Sequence, residues 1–163
     1  MTITIELSTE AINNLNLSAI KEQLKHLPQD RTIIDYEQQL QFKVNYQQEP
    51  DDPRELSEIP EVRLWFVFLD AAYPWFPFLL DWKSGELARY TAMLVPHQFS
   101  RSEGIIYNPE ALEIYVMHKI FTLANWFGQK DIKANFRLKS FAQLFGYEID
   151  DSFFEQIKTI QAS

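Results

Sequence analysis

The sequence predicts an α+β fold, and three features of its 163 residues carry that prediction: two N-terminal stretches of alternating apolar residues, a dense aromatic middle, and helical periodicity with start signals toward the C-terminus. The expected architecture is a small antiparallel sheet, with strands near residues 2–7, 38–46, 62–69, 78–82 and 86–94, packed against an N-terminal helix and a C-terminal helical segment. Composition fits a folded globular chain, with 46% hydrophobic, 15% aromatic and 23% charged residues. No repeat or low-complexity tract divides it, so residues 1–163 are expected to form a single domain.

Residues 2–7 alternate β-branched side chains and end at Ser8-Thr9-Glu10, a strand handing over to a helix start, with Ile3 and Ile5 facing inward. Leu17, Ile20, Leu24 and Leu27 then fall on one helical stripe that Ser18 caps and Pro28 ends. Leu40, Phe42, Val44 and Tyr46 alternate with Gln39, Gln41, Lys43 and Asn45, the pattern of a strand with one wet face and an antiparallel neighbour. Residues 47–60, QQEPDDPRELSEIP, combine three prolines with five carboxylates, and Glu61 follows them. That composition predicts a surface loop with at most one helical turn.

The run VRLWFVFL at 62–69 holds one charge, Arg63, and fits a strand buried on both faces; a buried helix of that length fits the same composition. Tyr73-Pro74-Trp75-Phe76-Pro77 is a stiff aromatic connector, since each proline lacks a donor and restrains the residue before it. Apolar stretches 78–82 and 86–94 flank Lys83-Ser84-Gly85, which reads as a hairpin, with a helix over 84–95 as the competing reading. Asn108-Pro109-Glu110 supplies a cap, a first-turn proline and an acid, and opens a helix over 109–127 that Gly128 closes. Two shorter helices follow, one near 139–145 with Gly146 behind it, the other from Asp151 or Ser152 to 160, where Ser152 and Glu155 form a capping box.

The chain carries a net charge of −8. Residues 1–60 hold 11 Asp and Glu against 5 Lys and Arg, and residues 61–163 hold 12 against 10, so the excess acid lies in the first third. Without a basic cluster, nucleic acid and anionic membrane are not expected partners. The segment from Phe141 to Gly146 and the helix after it mimic a helix-turn-helix, yet residues 130–163 balance five cations with five anions. No apolar run reaches bilayer length and the start has no signal-peptide pattern, so a cytoplasmic protein without membrane insertion is expected.

Cysteine is absent, which excludes disulfides, thiolate metal sites and cysteine nucleophiles. No phosphate-cradling glycine motif, G-x-S-x-G or HExxH is present either, and neither a cofactor nor a metal is expected. Of three histidines, His26 ends a helix where a cation favours the dipole, and His118 lies on the long helix in a partly buried packing role. His97 follows Val95-Pro96 outside regular structure and is the strongest acid-base candidate. With Arg63, Asp81, Glu86 and Arg89 it makes a candidate polar or ligand cluster. The bland alternative is that Arg63, Glu86 and Arg89 form a structural ion pair among apolar neighbours. A second partner-facing set consists of Trp65, Asp70, Tyr73, Trp75, Phe76 and Trp82, because aromatics on a proline-stiffened loop make good protein-binding anchors. In the bland reading of Asp70, it ends a strand and orders the turn at Tyr73-Pro74.

Three runs within residues 59–119, IPEVRLWFVFLDAAYPWFPFLLDWKSGELARY, AMLVPHQF and GIIYNPEALEIYVMHKIF, resemble the cyanobacterial and chloroplast family called chlororespiratory reduction six. The resemblance implies a soluble, non-enzymatic factor that assists assembly of the photosynthetic NAD(P)H dehydrogenase-like complex. It further implies binding to the iron–sulfur subunit I, with its two ferredoxin-like clusters, or to other subunits of the hydrophilic arm. The lack of a transit-like start points to the cyanobacterial form. A small acid-base enzyme or ligand-binding protein centred on His97 is the alternative.

Overall fold

The computed structural model describes residues 2–25 and 36–162, with side chains through residue 158. His26, Leu27 and Pro28 lie outside the described residues. The fold is α+β, as the sequence predicts, and divides into two compact units, residues 1–107 and 108–163.

In the first unit, strand β1 (Ile3–Ser8) leads into helix α1 (Thr9–Asn13), where the Ser8 hydroxyl accepts the Ala11 N–H. Helix α2 (Ser18–Lys25) follows, and strand β2 (Leu40–Asn45) pairs with β1 from Ile3 opposite Leu40 to Ser8 opposite Asn45. This pairing is parallel, where the alternating pattern had suggested an antiparallel neighbour. The reason is the connection: α1, α2 and the residues after them form a crossover long enough to return the chain in the same direction.

The three strands expected at 62–69, 78–82 and 86–94 are absent. Residues 62–69 lie in helix α3 (Pro60–Ala72), which starts with proline in its first turn and buries Val62, Trp65, Phe66 and Leu69. Their i, i+3, i+4, i+7 spacing is a helical stripe, hidden in the sequence by the apolar Leu64, Val67 and Phe68 between them. Residues Phe76–Leu79 and Trp82–Ser84 are 3₁₀ turns, shaped by Pro77 and by Asp81, whose carboxylate accepts the Lys83 N–H. Only Leu80 joins the sheet, in a single bridge to Leu40. Gly85, at φ +84°, provides the left-handed residue from which helix α4 (Glu86–Leu94) starts, which settles the competing readings of 84–95 in favour of the helix. A hairpin of β3 (His97–Ser100) and β4 (Gly104–Tyr107) completes the unit, so His97 belongs to a strand.

The core of this unit is aromatic. The Phe42 ring centroid lies 5.1 Å from Phe66 and 6.1 Å from Trp65, both edge-on, and 5.6 Å from Phe76. Tyr90 packs edge-on against Phe66 at 5.8 Å. Quadrupole preferences favour these crossed geometries over face-to-face stacking.

In the second unit, Asn108 accepts the Ala111 N–H and opens helix α5 (Pro109–Gln129), as expected. The helix runs through Gly128, and the left-handed residue beyond it is Asp131, φ +54°. Helix α6 (Asn135–Leu144) starts earlier than the sequence indicates. Helix α7 (Asp151–Ala162) takes its cap from Asp150 rather than from Ser152: the Asp150 carboxylate accepts the Phe153 N–H at 3.2 Å and the Ser152 hydroxyl, and those bonds lower its pKa.

Candidate functional site

The aromatic segment divides into core and surface. Trp65 and Phe76 are fully buried, and the Trp65 indole donates to the Asn16 carbonyl at 2.9 Å, so neither offers a partner any area. Phe76 enters the core because the 3₁₀ turn directs Phe76–Leu79 inward. Tyr73 and Trp75 remain half-buried with ring centroids 5.5 Å apart. Trp82 is half-buried as well, its indole donating to the Pro77 carbonyl at 2.9 Å. Asp70 lies on α3 rather than at the end of a strand, and it accepts the Tyr90 hydroxyl at 2.9 Å, an inter-helix tie.

The polar set does not converge. Arg63 donates from Nε to the Met93 carbonyl at 3.3 Å, joining α3 to α4. Asp81 caps its 3₁₀ turn, while its N–H donates to the Leu40 carbonyl at 2.8 Å. Glu86 is buried, pairs through Oε1 with Arg89, and accepts the Phe42 N–H on Oε2 at 3.2 Å. Arg89 reaches back to the Ser84 carbonyl at 3.0 Å. The structural Arg–carboxylate pair foreseen in the sequence therefore exists as Glu86–Arg89, with Arg63 engaged elsewhere.

These contacts serve the outer edge of β2. The Gln38 N–H donates to the Phe78 carbonyl at 3.0 Å, the Leu40 carbonyl accepts from Asp81, and the Phe42 N–H is taken by Glu86. One carboxylate thus continues the hydrogen-bond row beyond Leu80.

His97 has a different neighbour, Ser57, which sequence reasoning missed. Its Nδ1 bonds the Val95 carbonyl at 3.0 Å and must carry a hydrogen to do so. In the neutral ring Nε2 then accepts the Ser57 hydroxyl across 3.1 Å. Ser57 is buried in the 3₁₀ turn Leu56–Glu58, held by a reciprocal capping box between Glu55 and Glu58. The pair ties this turn to β3. The E-x-x-E spacing was the available sequence signal for the turn, whereas nothing in the sequence paired Ser57 with His97. His118 is exposed on α5, contrary to the packing role expected of it.

Among the described residues, cavities of about 560 and 470 Å³ lie in the second unit. The larger is walled by Phe127, Ile132, Phe136 and Phe154. No group of three or more potential metal ligands occurs among the described residues. The acidic segment before α3 is ordered by Arg54, which grips Asp52 with Nε at 3.0 Å and Nη2 at 2.8 Å. Those bonds hold the Asp52 carboxyl down at about 2. At the end of β4, the Tyr107 hydroxyl donates to the Ala88 carbonyl at 2.7 Å, and burial pushes its pKa up to about 12.

Together these features define an α+β protein in which the candidate polar side chains bind its own backbone, and in which the segments around Ser57, Phe76 and Trp82 form short, tied turns. The chain belongs to the chlororespiratory reduction 6 family, whose model matches residues 7–156. Membership fits a role in assembly of the NAD(P)H dehydrogenase-like complex. No solved structure matches the chain. Among the described residues, no helix is long and apolar enough to cross a membrane.

Proposed function

We propose that this protein is a non-enzymatic assembly factor that binds the iron–sulfur subunit I of the photosynthetic NAD(P)H dehydrogenase-like complex while the hydrophilic arm is built, and that it does so in the cytoplasm. Family membership over residues 7–156 carries this reading. A cysteine-free chain has no thiolate with which to hold the subunit's clusters, so the factor engages the polypeptide. The binding surface combines Asp70, Tyr73, Trp75 and Trp82 with the acidic segment 47–61, a composition suited to a basic, incompletely folded partner. The histidine-centred alternative finds less support, since the Asp81 carboxylate caps its own turn through the Lys83 N–H and Glu86 is engaged by the Phe42 N–H and Arg89.

A pull-down with tagged protein from a photosynthetic lysate at low salt, followed by mass spectrometry, tests the reading. Enrichment of the iron–sulfur subunit is the expected result; recovery of the protein alone rejects it. Low salt matters because an acidic interface is screened within about 10 Å at 0.1 M.

A further inference from the structure

Helix α3 has a second apolar face. Opposite its buried stripe, Leu64, Val67 and Phe68 are exposed by 54%, 46% and 46%. Their i, i+3, i+4 spacing makes them neighbours on the helix surface, and the exposed Ala71 extends the stripe by another turn. Three large apolar side chains gathered on one solvent-facing helix are unusual in a chain with a complete core beneath them.

The N-terminal end of this stripe is acidic. Exposed Glu61 stands one turn before Leu64, and exposed Glu55 and Glu58 lie in the turn that leads into α3. The nearby cations offset them only in part: six carboxylates lie between residues 49 and 61, against Arg54, which grips Asp52 and also feels the charge of Glu61, and Arg63, which is bonded to the Met93 carbonyl.

We infer that the outward face of α3 is a docking surface for a basic amphipathic helical segment of a partner polypeptide. The segment's apolar side chains cover Leu64, Val67 and Phe68, and its lysines or arginines meet Glu55, Glu58 and Glu61. Charge selects this occupant over a second copy of the chain, since two molecules of net charge −8 repel. The inference deepens the assembly reading and rests on it for the partner being a subunit of the complex.

The test uses the full chain and two fluorescently labelled helical peptides, one of leucine and lysine at amphipathic spacing and one of leucine and glutamate. Anisotropy titration is expected to show the basic peptide binding at least about tenfold more tightly than the acidic one. Val67→Ser with Phe68→Ser weakens it by about tenfold or more. Glu61→Gln, at a carboxylate outside the capping box of the preceding turn, weakens it less and flattens its salt dependence. Unchanged far-UV circular dichroism shows that these exposed substitutions leave the fold intact. Equal affinity for the two peptides, or unchanged affinity in the Val67/Phe68 variant, overturns the inference. So does a dimer of the wild-type chain in sedimentation that the same variant abolishes, because the occupant is then a second copy.

Capture of purified iron–sulfur subunit separates the two readings. If wild type and variant capture it equally, this surface is wrong and the assembly role stands. If wild type fails to capture it while the peptides are still discriminated, the assembly role falls and the surface stands.

Discussion

Glu86 Oε2 accepts the backbone N–H of Phe42 at 3.2 Å, so a side chain from α4 completes the hydrogen-bond row of β2. The carboxylate is almost wholly inaccessible, while the side chain of its partner Arg89 is 57% exposed. The two halves of the ion pair therefore have different energetic weight.

Glu86→Ala leaves the Phe42 donor without its acceptor, and unfolding by urea is expected to show a loss of about 2 kcal/mol. Arg89→Ala is expected to cost less than about 1 kcal/mol, because its guanidinium is screened by water. Equal losses for both variants would sink the view that Glu86 acts mainly on the strand.

Thr91 is fully buried on α4, and its hydroxyl has no hydrogen-bond partner among the described residues. Thr91→Val keeps the shape and removes the unsatisfied group, so it is expected to stabilise the chain by up to about 1 kcal/mol. A lower midpoint in thermal unfolding would show that the hydroxyl is satisfied in solution.

Tyr107 retains its proton to about pH 12, whereas an unfolded tyrosine ionises near pH 10. The folded pKa is raised, so the contribution is fully present below about pH 10 and lost as pH rises toward about 12. Wild type is expected to lose stability across this window more steeply than Tyr107→Phe, as read from urea midpoints. Parallel curves for the two proteins would refute the assignment.

Trp65→Ala or Phe76→Ala opens a cavity in the aromatic core and is expected to cost about 3–5 kcal/mol, a large share of a typical domain's stability. Trp75→Ala touches a half-buried ring on the connector and is expected to leave the fold intact while weakening capture of the iron–sulfur subunit. Circular dichroism alongside the pull-down distinguishes the effects; undiminished capture by folded Trp75→Ala would remove Trp75 from the interface.

Local chemistry was the readable part of this fold. Ser8 and Asn108 cap helices as their side chains dictate, and the alternation in 2–7 and 38–46 became β1 and β2. The run at 62–69 misled because its helix is apolar on two sides, which erases the contrast that reveals a period of 3.6. The direction of β2 was not readable from alternation, which is the same for either neighbour; the length of the crossover decides it. At the site, an ion pair among Arg63, Glu86 and Arg89 was legible, but the choice of Arg89 and the acceptance of the Phe42 N–H by Glu86 were not. Backbone donors carry no residue-specific signature, and Ser57 was hidden for a related reason: its partner lies forty residues away.

The row of bonds along β2 sets an order on synthesis. When residue 45 leaves the ribosome, β1 and β2 are both available, yet the acceptors for Gln38 and Phe42 lie at Phe78 and Glu86 and are still to come. The nascent strand edge is therefore sticky for the time taken to translate some forty further codons, at about 5–20 residues per second. The acidic stretch 47–61 emerges early in that interval and from then on gives the unfinished chain a repulsive charge against its neighbours on a polysome.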